Sequence, residues 1–252
     1  MGEHDAAGHL IRHGWAPLPT GAGATAQDIE AALDTAGRLF RRDERQKERH
    51  CFPEQNYHYG WNPRGRADGR EAWQVVPAMP AEAYPADESP EALVRLLGTV
   101  VRACDGLLSD VLGRLRLAAP PWVGESMLPG SQLRMLRYER AGRFGVHTDF
   151  GVFTVFIGSS TPGLEFETAD GRWEATTPAI IPGAMLEHLT GGRITARPHR
   201  VLPTSGQRLS VVAFVHPLPD RVIDAERGLT AGEFFTQRMR SFGHDVTATR
   251  AG

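Results

Sequence analysis

The residue pattern of the chain changes at Ser131, and this change restricts the possible folds more than any other feature. From that residue onward, short runs rich in β-branched and aromatic residues alternate with Gly- and Pro-containing turns. The predicted strands are Gln132–Tyr138, Val152–Gly158, Leu164–Thr168, Trp173–Thr177, Ile194–Leu202 and Arg208–His216. Because no helical segment separates successive strands, a parallel βαβ sheet is disfavoured and a sandwich or barrel is predicted.

The first half of the chain is predicted to be mainly helical. Residues Ala26–Phe40, after the Gly-rich turn Gly21–Ala24, place apolar side chains near a helical period. A longer apolar stripe follows Ser89-Pro90, where Ser is the predicted N-cap and Pro the first helical residue. Between these helices, the Pro-, Gly- and aromatic-rich stretch Phe52–Asp87 is predicted to be irregular. A last helix, Thr230–Phe242, begins with the capping-box sequence Thr-Ala-Gly-Glu.

Composition and charge narrow the class of protein. With 28 basic and 30 acidic side chains, the formal net charge is −2, which gives no electrostatic case for nucleic acid. Apolar runs are too short for a membrane helix, and residues Met1–Leu10 show no signal sequence. The two cysteines, Cys51 and Cys104, cannot build a disulfide framework. We therefore expect a cytoplasmic protein that binds neither nucleic acid nor membrane.

The segment His147-Thr148-Asp149 carries the most chemical information. Residues two apart in a strand point to the same side, so His147 and Asp149 would share a face. His199, on a later predicted strand, can supply a third ligand. Two imidazoles and one carboxylate leave adjacent coordination positions open, which suits non-haem Fe(II) oxygen chemistry. The competing interpretation is that these are three unrelated surface residues.

A second pair with the same spacing is formed by Arg208 and Ser210. Both would point into a barrel, with Leu209 on the opposite face. A buried arginine is costly unless an anion meets it, and its planar guanidinium suits a carboxylate. The pattern therefore predicts a carboxylate clamp close to the metal.

The order of these motifs resembles the isopenicillin-N-synthase-like branch of the iron/2-oxoglutarate-dependent dioxygenases. The similar segments are Leu133–Tyr138, His147–Thr154, Gly163–Phe166, Gly171–Trp173, Ile181–Ala184, Leu189–Gly192, Pro198–Val201, Arg208–Ser210 and Phe214–Pro217. The resemblance implies a mainly β chain with helical support (α+β) and a double-stranded β-helix (jelly-roll) core. It implies a single domain, in which residues 1–130 are mostly helical support, 131–217 form the core, and 218–252 form the C-terminal helix and tail.

The same resemblance implies residue roles and a reaction. The implied Fe(II) ligands are His147, Asp149 and His199. The implied 2-oxoglutarate-binding residues are Arg208, Ser210 and Tyr138. The reaction would consume O2 and oxidise an unactivated C–H bond of a small molecule, by hydroxylation, desaturation or cyclisation, in bacterial specialised metabolism. Two alternatives stay open: a related non-haem iron oxidase that does not use 2-oxoglutarate, and a catalytically silent metal- or ligand-binding module.

Three features depart from the family pattern or add to it. Leu136 stands where the family usually has an asparagine, which predicts the loss of one contact to the cosubstrate. Between Ala184 and Leu189 the chain is short, which predicts a shortened strand or a more open pocket. The aromatic stretch Tyr57–Trp61 and the C-terminal helix are each predicted either to pack against the core or to form a lid.

Overall fold

The computed structural model describes residues 5–19, 24–175 and 178–241. Residues 21–23 of the predicted Gly-rich turn, Thr176 and Thr177 of one predicted strand, and Phe242 with the tail lie outside the described residues. The helices are α1 (Ala6–His13), α2 (Ala26–Arg41), α3 (Glu44–Glu48), α4 (Glu91–Arg114), α5 (Ala184–Leu189) and α6 (Ala231–Ser241). None of these helices combines the length and the apolar character needed to cross a membrane.

The strands form two larger sheets and one small hairpin. They are β1 (Ala16–Pro17), β2 (Gly60–Asn62), β3 (Arg70–Val75), β4 (Gln132–Tyr138), β5 (Phe144–His147), β6 (Phe153–Ser159), β7 (Leu164–Glu167), β8 (Trp173–Glu174), β9 (Ala179–Pro182), β10 (His199–Val201), β11 (Arg208–Val215), β12 (Val222–Asp224) and β13 (Leu229–Thr230). The large sheet has the order β1-β9-β6-β11-β4-β3-β2, the small sheet has the order β5-β10-β7-β8, and β12 pairs with β13. Neighbouring strands in both larger sheets are antiparallel, as the sequence predicts.

The large sheet is covered on both faces by apolar side chains. On strand β4, Leu133 and Met135 belong to the main core with residues of helix α4, such as Leu97. The alternate residues Leu136 and Tyr138 belong to a second cluster, which includes side chains of the small sheet. Side-chain alternation along one strand thus separates the helix-packed core from an interior between the two sheets.

The strand register determines which side chains share this interior. Opposite pairs between β11 and β4 are Arg208–Tyr138, Ser210–Leu136, Val212–Arg134 and Phe214–Gln132. Strand β3 adds Arg70, Ala72 and Gln74 opposite residues of β4 on the same side. The interior is therefore apolar in its middle and carries arginines along its length.

Two sequence predictions are wrong about strands. The stretch Phe52–Asp87 is not wholly irregular, because it contains β2 and β3, which extend the large sheet. Only His199–Val201 of the predicted strand Ile194–Leu202 pairs with neighbours. The earlier residues bend around α5, where Ala196 N–H donates to Glu187 Oε2 at 2.7 Å and both Ile194 and Ala196 are buried.

The short segment Ala184–Leu189 forms helix α5 rather than a strand. Helix α2 begins with a capping box between Thr25 and Asp28. Helix α6 begins with the predicted box, in which Glu233 accepts from Thr230 N–H at 2.9 Å. These caps stabilise the helix starts by satisfying N–H groups that have no partner within the helix.

One buried charge network ties helix α3 to strands β2, β3 and β4. Glu71 is 2% exposed and accepts hydrogen bonds from Lys47 Nζ at 3.0 Å and Trp61 Nε1 at 2.6 Å. Arg137 Nη2 also lies 2.6 Å from the Glu71 carboxylate. Lys47, the chain's single lysine, is 4% exposed. A desolvated ammonium of this kind depends on its carboxylate partner.

We expect Glu71→Ala to lower the free energy of unfolding by about 3–5 kcal/mol, because removing one partner leaves a buried charge unpaired. Urea denaturation followed by circular dichroism measures this loss. The matched control is Glu44→Ala, which breaks an ion pair with Arg66 in which the two side chains are 58% and 46% exposed, and which should change stability little. Equal losses of unfolding free energy in the two variants would contradict the expectation that the buried network stabilises the fold more than the exposed ion pair does.

Candidate metal centre

Two paired strands bring the two predicted histidine ligands together. His147 ends β5 and lies directly opposite His199, which begins β10. The centroids of the two imidazole rings are 4.0 Å apart. Residues 52 positions apart in the sequence are thus made neighbours by one antiparallel register.

Asp149 reaches the same place from a loop and not from a strand, which corrects the prediction that it shares a strand with His147. Its carboxylate Oδ2 lies 3.3 Å from His199 Nε2, and its Oδ1 lies 3.8 Å from His147 Nε2. The loop is held by a hydrogen bond from Ala184 N–H to the Asp149 carbonyl at 2.8 Å. A Cβ at Gly183 would lie 2.3 Å from the carbonyl of Gly151, so a glycine is needed for this close approach.

Backbone carbonyls set the tautomers of both rings. His147 Nδ1 lies 2.8 Å from the Gly145 carbonyl, and His199 Nδ1 lies 3.2 Å from the Arg197 carbonyl. Since a carbonyl can only accept, each Nδ1 carries a proton, and in the neutral ring Nε2 then keeps the lone pair. Both Nε2 atoms face Asp149.

The surroundings favour neutral imidazole and an oriented carboxylate. Burial, together with the neighbouring His199, lowers the pKa of His147 to about 4. Thr154 Oγ1 donates to Asp149 Oδ2 at 2.6 Å, which orients the carboxylate. Neutral imidazole is the form that binds metal, and a hydrogen bond of this kind tunes a ligating carboxylate.

The donor set fits a divalent transition metal. One ligand atom from each of His147, Asp149 and His199 lies within 4.8 Å of the others. Two imidazole nitrogens and one carboxylate oxygen match the facial set of non-haem Fe(II) sites, which leaves coordination positions open. The structure therefore brings together the three residues that the sequence selects as candidate ligands.

Arg208 is the first residue of β11 in the large sheet, and its side chain lies in the interior between the two sheets. It is 2% exposed, donates from Nε to the Thr161 carbonyl at 3.1 Å, and lies 5.5 Å from the centre of the Tyr138 ring. Its Nη1 is buried and has no hydrogen-bond partner among the described residues. Burial lowers the pKa of Arg208. A buried, unpaired guanidinium N–H fits an incoming carboxylate.

Ser210 and Leu136 lie on adjacent strands beside Arg208, directly opposite each other. Ser210 is 4% exposed and Leu136 is 8% exposed. Leu136 packs in the interior cluster with Phe156 and Val212, so an apolar wall stands where the family usually has an amide.

The two candidate lids have different surroundings. Trp61 is 2% exposed and bonded to Glu71, so it packs in the core. The ring of Phe235 on α6 lies 4.8 Å from His216 and 6.4 Å from Phe150, which follows Asp149. Helix α6 therefore borders the loop that carries Asp149.

Sequence reasoning missed two kinds of polar residue in this interior. Thr154 lies on β6 and holds Asp149, while Arg134 and Gln74 lie on β4 and β3. The signal for Arg134 is present in the predicted strand, because Arg134 is four residues before Tyr138 and so shares its face.

Part of the chain resembles a known protein family. Residues 130–217 match the model of the 2OG-Fe(II) oxygenase superfamily. The chain is 27% identical over 229 residues to a feruloyl CoA ortho-hydroxylase of Ipomoea batatas, covering 80% of this chain and 63% of the hydroxylase. The chain thus spans less than two thirds of that relative's length.

Two solved structures show the same fold. One is the crystal structure of a protein from Shewanella oneidensis, with a TM-score of 0.72, 21% identity, and coverage of 94% of this chain and 93% of that one. The other is the dioxygenase for auxin oxidation 1 of Arabidopsis thaliana in complex with 2-oxoglutarate, with a TM-score of 0.66, 20% identity, and coverage of 88% and 92%. The core is a double-stranded β-helix, and residues 130–217 of the chain resemble the 2OG-Fe(II) oxygenase superfamily.

Proposed function

We propose that this protein is an Fe(II)- and 2-oxoglutarate-dependent oxygenase that oxidises an unactivated C–H bond of a small molecule. Hydroxylation is the default outcome, and desaturation or cyclisation are variants. The proposed setting is bacterial specialised metabolism, in the cytoplasm, with the chain as a single-domain monomer or weak oligomer. The observation that carries the proposal is the convergence of the Nε2 atoms of His147 and His199 on the Asp149 carboxylate.

The proposed ligands are His147, Asp149 and His199, and the proposed 2-oxoglutarate residues are Arg208, Ser210 and Tyr138. When bound, iron and 2-oxoglutarate would couple O2 reduction and decarboxylation to C–H oxidation. The backbone carbonyls of Gly145 and Arg197 keep both Nε2 lone pairs available.

Arg208 and Ser210 would hold the far carboxylate of the cosubstrate. The free Nη1 of Arg208 supports this role, because the guanidinium is already buried and oriented by the Thr161 carbonyl. The Tyr138 ring lies beside the guanidinium, 5.5 Å from ring centroid to the central carbon of Arg208. The apolar wall around Leu136 and Phe156 would exclude water between the two ends of the cosubstrate.

The proposed function is tested by measuring succinate release. The purified protein with Fe(II), 2-oxoglutarate and O2 is screened against candidate small molecules, and one compound class should stimulate succinate formation in step with its own oxidation. Oxidation of a compound without succinate would instead favour an iron oxidase that does not use 2-oxoglutarate. Failure to bind Fe(II) and 2-oxoglutarate anaerobically, seen as no visible charge-transfer band, would favour a silent binding module.

We expect His199→Ala to abolish iron binding and activity, because the remaining two ligands cannot hold the metal firmly. The fold should persist, since the truncated ring faces the centre and not the helix-packed core. Anaerobic Fe(II) titration and far-UV circular dichroism check both points. His13→Ala, at an exposed histidine of α1, is the control, and full activity of the His199 variant would remove this residue from the site.

We expect Arg208→Met to weaken 2-oxoglutarate binding by about 2–5 kcal/mol, the usual loss when one partner of a buried charge pair is removed. Iron affinity should stay close to that of the parent protein. Anaerobic titration of the iron-loaded protein with 2-oxoglutarate measures the effect. Arg200→Met is the matched control, because Arg200 on β10 pairs with Glu165; an unchanged 2-oxoglutarate affinity in the Arg208 variant would contradict the assignment.

We expect Thr154→Val to lower metal affinity roughly ten- to hundredfold, since it removes a hydrogen bond that orients a ligating carboxylate while keeping side-chain volume. Competition with a chelator of known affinity gives the measurement. Thr99→Val on α4, whose hydroxyl bonds only within its own helix, should leave metal affinity unchanged. A metal affinity of the Thr154 variant equal to that of the parent would show that Asp149 needs no such support.

A further inference from the structure

Arg134 is a second interior arginine with no place in the proposed cosubstrate site. Its Nε donates to Gln74 Oε1 at 2.8 Å, and Gln74 is 2% exposed, so the amide fixes the guanidinium. The guanidinium lies over the Phe214 ring at 4.6 Å from its centroid. A weak contact of 3.4 Å joins Nη2 to Gln132, and Nη1 has no hydrogen-bond partner among the described residues. Gln74 therefore holds the Arg134 side chain in place, while N–H groups of its guanidinium are left to donate to a ligand.

The register places Arg134 close to the candidate metal centre. Arg134 is opposite Val212 on β11, and Val212 is opposite Phe156 on β6. The Phe156 ring in turn lies 5.4 Å from His199. Two strand spacings amount to roughly 10 Å, the length of a small organic molecule. A substrate with one end on Arg134 would therefore present its body to the metal centre.

The interior carries more positive charge than the cosubstrate alone would neutralise. Arg70, Arg134 and Arg208 all face it, and the far carboxylate of 2-oxoglutarate would neutralise Arg208. The guanidinium of Arg70 already lies over Phe144 and faces Asp68 at 3.8 Å.

Arg134 has no carboxylate partner within ion-pair distance among the described residues. Asp149 favours its charge from farther away, but the carboxylate of Asp149 is committed to the candidate metal centre. Burial dominates and lowers the pKa of Arg134 to about 10. A desolvated guanidinium is stabilised strongly by a carboxylate, so the site favours an anionic group of a ligand.

We propose that Arg134, oriented by Gln74, binds a carboxylate of the substrate in the interior between the two sheets. The substrate class is then a small carboxylic acid with an apolar body, since Phe214, Val212 and Leu136 line the space beside the guanidinium. This inference rests on the proposed oxygenase function. Arg134 is a specificity-determining residue within it, and Gln74 is a positioning residue.

The test compares acids with their neutral counterparts. The probes are phenylacetate, 3-phenylpropanoate and hexanoate, each paired with its primary amide. Binding to the anaerobic protein, loaded with Fe(II) and saturated with 2-oxoglutarate, is measured by calorimetry, and stimulated succinate release is measured in air. The parent protein should bind at least one acid more tightly than its amide, by on the order of tenfold or more. That preference should vanish in Arg134→Gln and shrink in Gln74→Leu.

Controls separate this inference from the proposed function. Arg102→Gln, at an exposed arginine of α4, should keep the preference for acids, and all variants should keep the parent 2-oxoglutarate affinity. If Arg134→Gln weakens 2-oxoglutarate binding instead, Arg134 belongs to the cosubstrate site and the inference fails while the function stands. Acids and amides binding alike, no acid binding at all, or an unchanged preference in Arg134→Gln also overturns it. Failure of the parent protein to bind 2-oxoglutarate overturns the function itself.

Discussion

The antiparallel pairing of β5 with β10 is the constraint on which the candidate site depends. It sets His147 opposite His199, and each Nδ1 meets a carbonyl two residues earlier in its own chain segment. Ring position and tautomer therefore follow from backbone geometry. A shift of one residue in this register would turn one imidazole to the other face of the sheet. The two long helices act indirectly, because they pack against the large sheet that carries the interior residues.

The interior between the two sheets is positively charged on the side of the large sheet. The large sheet contributes arginines at two levels, with Arg70 and Arg208 both opposite Tyr138 and Arg134 four residues earlier on β4. The small sheet contributes the imidazoles and a largely apolar wall. Two of these arginines have spare donors: Arg208 through its buried Nη1, and Arg134 beside Gln74. Uncompensated positive charge is unfavourable where it is buried, as at Arg208, and this supports the anion-binding roles proposed for the two arginines.

Much of this arrangement could be predicted from sequence, because local patterns carry it. Strand β4 and helix α2 follow from residue alternation and period. The candidate set of His147, Asp149 and His199 comes from the ordered motifs that resemble the dioxygenase family, because Asp149 lies in a loop and not on the strand that its spacing predicts. Strands β2 and β3 could not be found in this way, since β2 is three residues long and Pro and Gly surround both. The segment before His199 has the apolar residues of a strand, which is why its sequence predicts one. In the structure Ile194 and Ala196 are buried beside α5 and do not pair in a sheet. The role of Thr154 depends on the bend between Asp149 and Thr154, five residues apart, which strand alternation does not predict.

The most direct test of the account is a crystal structure of the protein with Mn(II) in place of Fe(II) and with 2-oxoglutarate. Anomalous scattering would locate the ion independently of any assumed ligands. We expect the ion to be bonded to His147 Nε2, His199 Nε2 and an Asp149 oxygen, with the far carboxylate of 2-oxoglutarate on Arg208 Nη1. An ion bound elsewhere, or a cosubstrate that leaves Arg208 without a partner, would contradict the account.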